Sequence, residues 1–365
     1  MDPVKIKSFD LYHYALPLTQ PLYVRRKNVN KREGIIISIQ SQEGEEGFGE
    51  IAPLPGLSQE NLTEACDQIK GIKEILIGQD IPGNLKSLNG GFEKWFKEFH
   101  LKPSVQFGVE TAILNLLANS KNISLAQLID DPFHDYVFVH GLLHGSINEA
   151  QQQALDLIRK GFTSLKLKVG KDVEEEISKI QAIGRMIEGK AVLHLDANQS
   201  WDVKQAIYLG ETIGLSTVDY IEEPFKNTED IPEFFMKTTI PVALDESLQS
   251  IKIEQIKSIE GAELLILKPT VLGGVEKTVQ WIRRAKQYGI SAVLSSAYES
   301  SIGILVLANL AAISSRCQSA GLDTLKWFRE DVLTKQILIE HGKIKFAERR
   351  IHTDDVNFNV LKKID

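Results

Sequence analysis

The sequence predicts an α/β protein, a (β/α)8-type barrel preceded by a smaller unit of mixed strands and helices. From about residue 137, short β-branched or Leu-rich runs alternate with helix-length stretches: VFVHGLL, TSLKLKV, AVLHLDAN, TVDYIEEP, IPVALDES, ELLILKP and ISAVLSSA. Seven strand candidates in strand-helix order call for a parallel sheet. Equivalent positions recur at 28, 26, 23, 23 and 27 residues, from Lys168 through Asp196, Glu222, Asp245 and Lys268 to Ser295. That is the roughly 25-residue unit of a barrel of about 200 residues. No GxGxxG opens a helix after any of these strands, which argues against an open, doubly wound sheet.

The elements ahead of the repeat follow from local signals. Residues 34–40 (GIIISIQ) and the following SQEGEEGFGEIAPLPG read as strand, acidic Gly-rich turn, strand and a loop rich in Pro and Gly, hence an antiparallel ribbon. Ser58, with Glu60 and an apolar-periodic run after it, predicts a helix capped at Ser58. Residues 103–119 carry apolar residues at helical spacing behind a first-turn proline. After the repeat, ILIEHGKIKF reads as another hairpin. The expected division is a first unit over 1–130, the barrel over 131–325, and a segment 326–365 that returns to the first unit.

Composition narrows the function classes. A length of 365 residues suits two units, and 43% hydrophobic with 25% charged residues is ordinary for a globular chain. Forty-two Lys and Arg against 49 Asp and Glu leave a net charge of -7, so no basic field exists for a phosphate backbone and no nucleic acid is expected. The start, MDPVKIKSFDLYHY, lacks the apolar core of a signal peptide, and no stretch approaches about 20 apolar residues. No membrane and a cytoplasmic location are therefore expected. Only Cys66 and Cys317 occur, too few for a disulfide framework or a CxxC metal site, and both are expected to be reduced core residues. Nothing in the sequence indicates an oligomeric state.

Chemistry enters at the C-terminal ends of the strands. Lys166 and Lys168 are two apart, so both point to one side of their strand. Asp196, Glu222, Asp245 and Lys268 occupy the same relative place in theirs. Burying such groups without partners costs several kcal/mol each, so their convergence calls for a reason. Three carboxylates offer hard oxygen ligands to Mg²⁺, with positions left for a small-molecule carboxylate substrate. A metal beside a lysine base is the arrangement for removing a proton from the carbon next to a carboxylate. The expectation is a lysine lowered from about 10.4 by the nearby cation and its twin. A lone Asp at a strand end is more often the N-cap of the next helix; Lys, Asp, Glu, Asp and Lys in serial order are not explained that way. His194 reads as a packed core histidine, and Glu223 as a structural neighbour of Glu222.

The strings LKLKV, LDANQSW, IEEP, LDES and LKPTVLGG, in that order, resemble the enolase superfamily and its muconate-lactonizing subgroup, with the likeness running from about residue 35 to 325. The resemblance implies a (β/α)8-type barrel with an N-terminal α+β capping domain. It implies Asp196, Glu222 and Asp245 as ligands of one Mg²⁺, Lys168 as the second lysine of the acid/base pair, Lys166 as its neighbour, Lys268 on the opposite face and Asn198 close to the metal. The stretches GEIAPLPGLSQE, PSVQFGVETA, SSAYESSIG and AGLDTLKWF are similar to those of the o-succinylbenzoate synthases. That likeness implies a lyase dehydrating 2-succinyl-6-hydroxy-2,4-cyclohexadiene-1-carboxylate in menaquinone synthesis. On this reading Lys168 removes the α proton and protonates the departing hydroxyl, while Lys268 either stabilises the intermediate or acts as a second acid/base group.

Loops 19–30 and 53–58 would then close over the substrate and exclude water. Within the first, Arg25, Arg26 and Lys27 would attract the succinyl carboxylate, although a short basic run is more often a solvated loop. Ser296, Ser300 and Ser301 would hydrogen-bond the substrate, although a Ser-rich loop is usually only a loop. The rivals are an N-acylamino acid racemase or a dipeptide epimerase with the same metal and lysines, and more remotely a metal-binding scaffold without chemistry. Against the epimerase, the eighth-strand region AGLDTL has Asp323 alone where a pair of acids would grip an α-ammonium group.

Overall fold

In the first fifty residues β-branched and aromatic residues alternate with polar ones, and they build an antiparallel sheet: β1 (Ile6–Val24), β2 (Lys27–Ser41) and β3 (Glu46–Ile51). Leu11 lies opposite Ile37, and Tyr14 opposite Gly34. The expected ribbon over 34–51 is present as the β2–β3 pair. The computed structural model describes residues 4–24, 27–130, 132, 134–257, 259–314, 318–346 and 349–364.

Four helices follow: α1 (Leu62–Leu76), α2 (Gly91–Trp95), α3 (Pro103–Asn119) and α4 (Leu125–Ile129). The helix behind Pro103 has the expected bounds. The expected cap at Ser58 is corrected to Asn61. Asn61 accepts the Glu64 N–H while the Glu64 side chain accepts the Asn61 N–H, a reciprocal pair that Ser58 and Glu60 are spaced too closely to make. Ser58 Oγ instead accepts the Leu54 N–H at 2.9 Å, bracing the Pro-rich loop. Helix α3 lies on β3 because both contribute glycine there. A Cβ on Gly49 would stand 2.0 Å from the Gly108 carbonyl oxygen, and one on Gly108 would stand 2.4 Å from the Ile51 side chain.

Beyond α4 come β4 (Tyr136–Phe138) and β5 (Gly141–Leu143), then an alternation: α5 (Ile147–Arg159), β6 (Ser164–Lys168), α6 (Val173–Ile187), β7 (Val192–Asp196), α7 (Val203–Ile213), β8 (Tyr220–Glu222), α8 (Ile231–Thr238) and β9 (Val242–Leu244). The series continues with α9 (Ile253–Ile256), β10 (Ala262–Leu267), α10 (Pro269–Leu272), α11 (Val275–Tyr288), β11 (Ser291–Leu294) and α12 (Ser301–Ser314). Strands β5 to β11 form one curled parallel sheet in sequence order. Each strand run read from the sequence falls on it or on β4. At the eighth position, among the described residues, only Ala320 and Gly321 engage, bridging Val139 and Ser295 and so joining the two edges. The pairing stops there because the chain turns away at Asp323, whose carboxylate accepts the Leu142 N–H at 3.5 Å.

The tail divides. The ILIEHGKIKF hairpin turns at 341–342, but its second arm, β12 (Lys343–Lys345), pairs with β4 rather than with the first sheet. The last strand, β13 (Leu361–Ile364), pairs antiparallel with β1. No helix among the described residues is long and apolar enough to cross a membrane. Cys66 is a partly buried free thiol; Cys317 lies outside the described residues.

A buried carboxylate ties the α3 layer to the barrel helices. Glu110 accepts the Gln106 side-chain N–H and the Glu276 backbone N–H at 2.9 Å, and Glu276 in turn accepts the Gly91 and Glu93 N–H groups at 2.9 Å. Burial, helped by the Glu276 charge, pushes Glu110 up to about 8. The stability it contributes is complete below its ordinary 4.5 and is lost as pH rises through about 8. The urea midpoint is therefore expected to fall between about pH 5 and about pH 8, and Glu110→Gln to flatten that slope. Parallel profiles for the two proteins would count against this assignment.

Candidate active site

The strand register places the charged residues together. Lys168 lies opposite Asp196, and Asp196 opposite Glu222, at the C-terminal ends of β6, β7 and β8. Lys166, one pleat deeper, reaches both acids: its Nζ is 3.0 Å from Asp196 Oδ2 and 2.7 Å from Glu222 Oε2. Lys268, just after β10, donates to Asp245 Oδ2. The Lys168 side chain is exposed and has no hydrogen bond or ion pair among the described residues. All six charged residues singled out in the sequence thus meet at one end of the sheet, in different states: Lys166 and Lys268 are committed, and Lys168 is free.

These acids are not helix caps. Asp172 and Asp202 accept the first-turn N–H groups of α6 and α7, and Asp245 makes no capping bond to the turn that follows it. Past the acids the backbone enters the left-handed region at Asn198 (φ 44°) and Glu223 (φ 43°), a conformation side-chain-bearing residues adopt only under local constraint. Glu223 supplies it. Its carboxylate accepts the Asp245 N–H at 2.7 Å, the Ser247 N–H at 2.8 Å and the Gln199 side chain at 2.7 Å. Asn198 donates its backbone N–H to Asp196 Oδ1 at 3.2 Å and its side-chain N–H to Glu246 Oε1 at 3.1 Å.

Electrostatically the cluster has more acid than base. Burial works against the Lys166 ammonium, but Asp196 and Glu222 outweigh it and hold its pKa well above the lysine range. Lys268 is likewise held up, against burial, by Asp245 and Glu222. At both lysines the neighbouring carboxylates outweigh the penalty of burial. Burial pushes Asp196 up, yet Lys166, Lys168 and Lys268 keep it below its ordinary value. Glu222 is driven well above its own by burial and by Asp196, and burial with Asp245 lifts Glu246 to about 7.

Two buried carboxylate oxygens, Glu222 Oε1 and Glu246 Oε2, have no hydrogen-bond partner. Such orphaned oxygens suit a hard divalent cation. The acids do not form a ready cage: among the described residues no group of three His, Cys, Asp or Glu side chains is arranged to hold a metal as it stands. The lysine ammonium groups occupy their inner edges.

Beneath lies a neutral layer. His194 Nε2 is 2.6 Å from Ser164 Oγ, and its ring stacks on Tyr220 at 4.3 Å. Burial and Lys166 push His194 down to about 3, so it is a packed, uncharged core residue as the sequence suggests. Both rings of this layer are buried.

Residues 149–350 match the family described as enolase C-terminal domain-like, and residues 6–116 match the MenC N-terminal domain. The chain belongs to the enolase superfamily. Protein PHYLLO, chloroplastic, of Arabidopsis thaliana is 30% identical over 90% of this chain, which spans 22% of that protein's length. The o-succinylbenzoate synthase of Pasteurella multocida is 30% identical, covering 88% of this chain and 90% of the synthase. Among solved structures, the N-succinyl Arg/Lys racemase of Bacillus cereus covers 99% of this chain and 100% of its own at TM-score 0.84 and 22% identity. That likeness is one of fold, which is TIM-barrel-like. The relatives make this superfamily member an enzyme, a lyase.

In this enolase-superfamily chain the first sheet reaches the site through the 53–58 loop and the end of β1; residues 19–24 and 27–30, expected as a loop, lie in the paired strands β1 and β2. Leu54, with Val24 and Leu57 beside it, packs on Val271 and Ala297, and a small cleft joins Leu57 and Val271 to Asp245 and Lys268. Arg25 and Arg26 lie outside the described residues; Lys27 opens β2 opposite Val24. The serine hydroxyls face inward. Ser300 Oγ donates to Glu50 at 2.7 Å, Ser301 Oγ to Asp331 at 2.6 Å and Ser296 Oγ to Glu299 at 2.7 Å. Their bonds hold the loop in shape.

Two residues that sequence reasoning passed over anchor the same region. Arg32 is 1% exposed; its guanidinium donates to the Ala52, Pro53 and Tyr298 carbonyls at 2.8, 3.1 and 3.0 Å. It thereby fastens the 53–58 loop to the loop after β11. Glu50 accepts the Ser300 and Gly303 N–H groups, both at 2.9 Å, and the Tyr14 hydroxyl. Glu50 stands out in the sequence as a charge beside the apolar end of β3, whereas Arg32 is one polar residue among several in KNVNKRE.

Proposed function

We propose that this chain is a Mg²⁺-dependent o-succinylbenzoate synthase, dehydrating 2-succinyl-6-hydroxy-2,4-cyclohexadiene-1-carboxylate. The observation that carries the reading is the lysine arrangement: an unpaired Lys168 side chain beside a carboxylate cluster whose other flank is Lys268, in a chain related to proteins of that name.

Held by Asp196, Glu222 and Asp245, Mg²⁺ would offset the charge that collects on the substrate carboxylate when its α proton leaves. Lys168 takes that proton on Nζ as a free amine, and the ammonium so formed protonates the departing hydroxyl, so water leaves and the amine is regenerated. Lys268, kept charged by Asp245, presents a fixed positive charge from the other side. Lys166, bound to two acids, holds Asp196 and Glu222 in place rather than exchanging protons. Leu54 and Leu57 cover the mouth and limit water.

Opposed lysines also suit proton exchange at one carbon, which makes N-acylamino acid racemisation the second reading. Gripping a dipeptide's ammonium is less favoured, because Asp323 is already paired with Lys326 and with the Leu142 N–H. Incubating the protein and Mg²⁺ separately with the cyclohexadiene substrate, an N-succinylamino acid and L-Ala-L-Glu decides. Formation of o-succinylbenzoate is expected, and exclusive epimerisation of the dipeptide would overturn the reading.

A further inference from the structure

Tyr298, in the loop after β11, is unused by this acid–base scheme. Its backbone is left-handed, φ 62°, a conformation aromatic residues rarely adopt and one that persists where surroundings over-determine it, often at ligand sites. The constraints are specific. Arg32 Nε donates to the Tyr298 carbonyl at 3.0 Å, the Tyr298 N–H donates to Ser296 Oγ at 2.9 Å, and the Ala297 N–H donates to Glu299 at 2.7 Å.

So held, the ring lies 5.6 Å from that of Trp327 and packs against the Leu54, Val271 and Ala297 cluster. It therefore stands between the loops of the first sheet and the charged end of the barrel. The charges of Lys166, Lys268 and Asp196 reach its hydroxyl, which has no hydrogen-bond partner among the described residues. A substrate with its reacting carbon among the lysines would meet this ring with an arm extended toward the loops of the first sheet.

Resting on the synthase reading, we propose that Tyr298 is a substrate-binding residue whose hydroxyl donates a hydrogen bond to the oxo-carboxylate arm, remote from the carbon that loses its proton. A bond made equally to substrate and transition state appears in KM and not in kcat. In the Mg²⁺-loaded enzyme, Tyr298→Phe is expected to raise KM about tenfold, the loss of one hydrogen bond, with kcat within about twofold.

Calorimetric titration separates this from a packing role. The variant should bind o-succinylbenzoate about tenfold more weakly and benzoate, which lacks the arm, as the wild type does. Tyr298→Leu, which also removes the ring, should weaken both ligands. A Phe variant that binds o-succinylbenzoate like the wild type, or loses both ligands equally, overturns the inference while leaving the synthase reading intact. A wild-type protein that neither turns over the cyclohexadiene nor binds the product overturns both.

Discussion

Lys168→Ala is expected to lower kcat by about 10³-fold or more while Mg²⁺ affinity and thermal stability stay near wild type. General acid–base groups contribute about 10²–10⁴-fold, and Lys168 is assigned both the proton removal and the proton return, so the upper part of that range applies. Its side chain is exposed and unpaired, so truncation leaves no buried partner without a counter-charge. The contrast with Lys166 sharpens the test. Lys166 neutralises two buried acids at 3.0 and 2.7 Å, and its removal should destabilise the fold as well as the reaction. Single-turnover kinetics, Mg²⁺ titration and a melting curve on both variants separate the roles. A Lys168→Ala protein retaining a tenth of wild-type kcat would sink the assignment.

The parts legible in the sequence share one property: they repeat. A strand every 23–28 residues fixes where each βα unit begins, and the two-residue period of a strand fixes which of its side chains reach the mouth. Lys166, Lys168, Asp196, Glu222, Asp245 and Lys268 were therefore placeable without a structure. What depended on long-range contact was not. Ser300 reads as a candidate substrate ligand because the hydroxyl's partner, Glu50, lies 250 residues away. Arg32 reads as one more charge in a strand, because the carbonyls it binds come from two separate loops. The protonation of the lysines is another such case, since it follows from distances to acids on neighbouring strands. Ser58 shows a local failure: the reciprocal side-chain bonds at Asn61 and Glu64 outweigh a serine three residues earlier.

Glu222→Gln is expected to weaken Mg²⁺ binding about 100-fold or more, abolish measurable turnover, and leave the melting temperature equal to or above that of the wild type. Two effects oppose each other in the stability. Removing a carboxylate from a buried ion pair ordinarily costs about 3–5 kcal/mol, because the partner is left charged and alone. Here Lys166 keeps Asp196 at 3.0 Å, and the glutamine oxygen still accepts its N–H. Against that small loss stands the relief of repulsion. Asp196, Glu222 and Asp245 face two buried lysines, Glu222 is driven well above its ordinary pKa by burial and Asp196, and its Oε1 has no partner. Glutamine relieves that repulsion, a gain of about 1 kcal/mol that offsets the loss. If the site holds Mg²⁺ as proposed, it is thereby less stable than its inert copy. Calorimetric Mg²⁺ titration and a melting curve on the same preparation test this, and a destabilised variant that still bound Mg²⁺ normally would place the metal elsewhere.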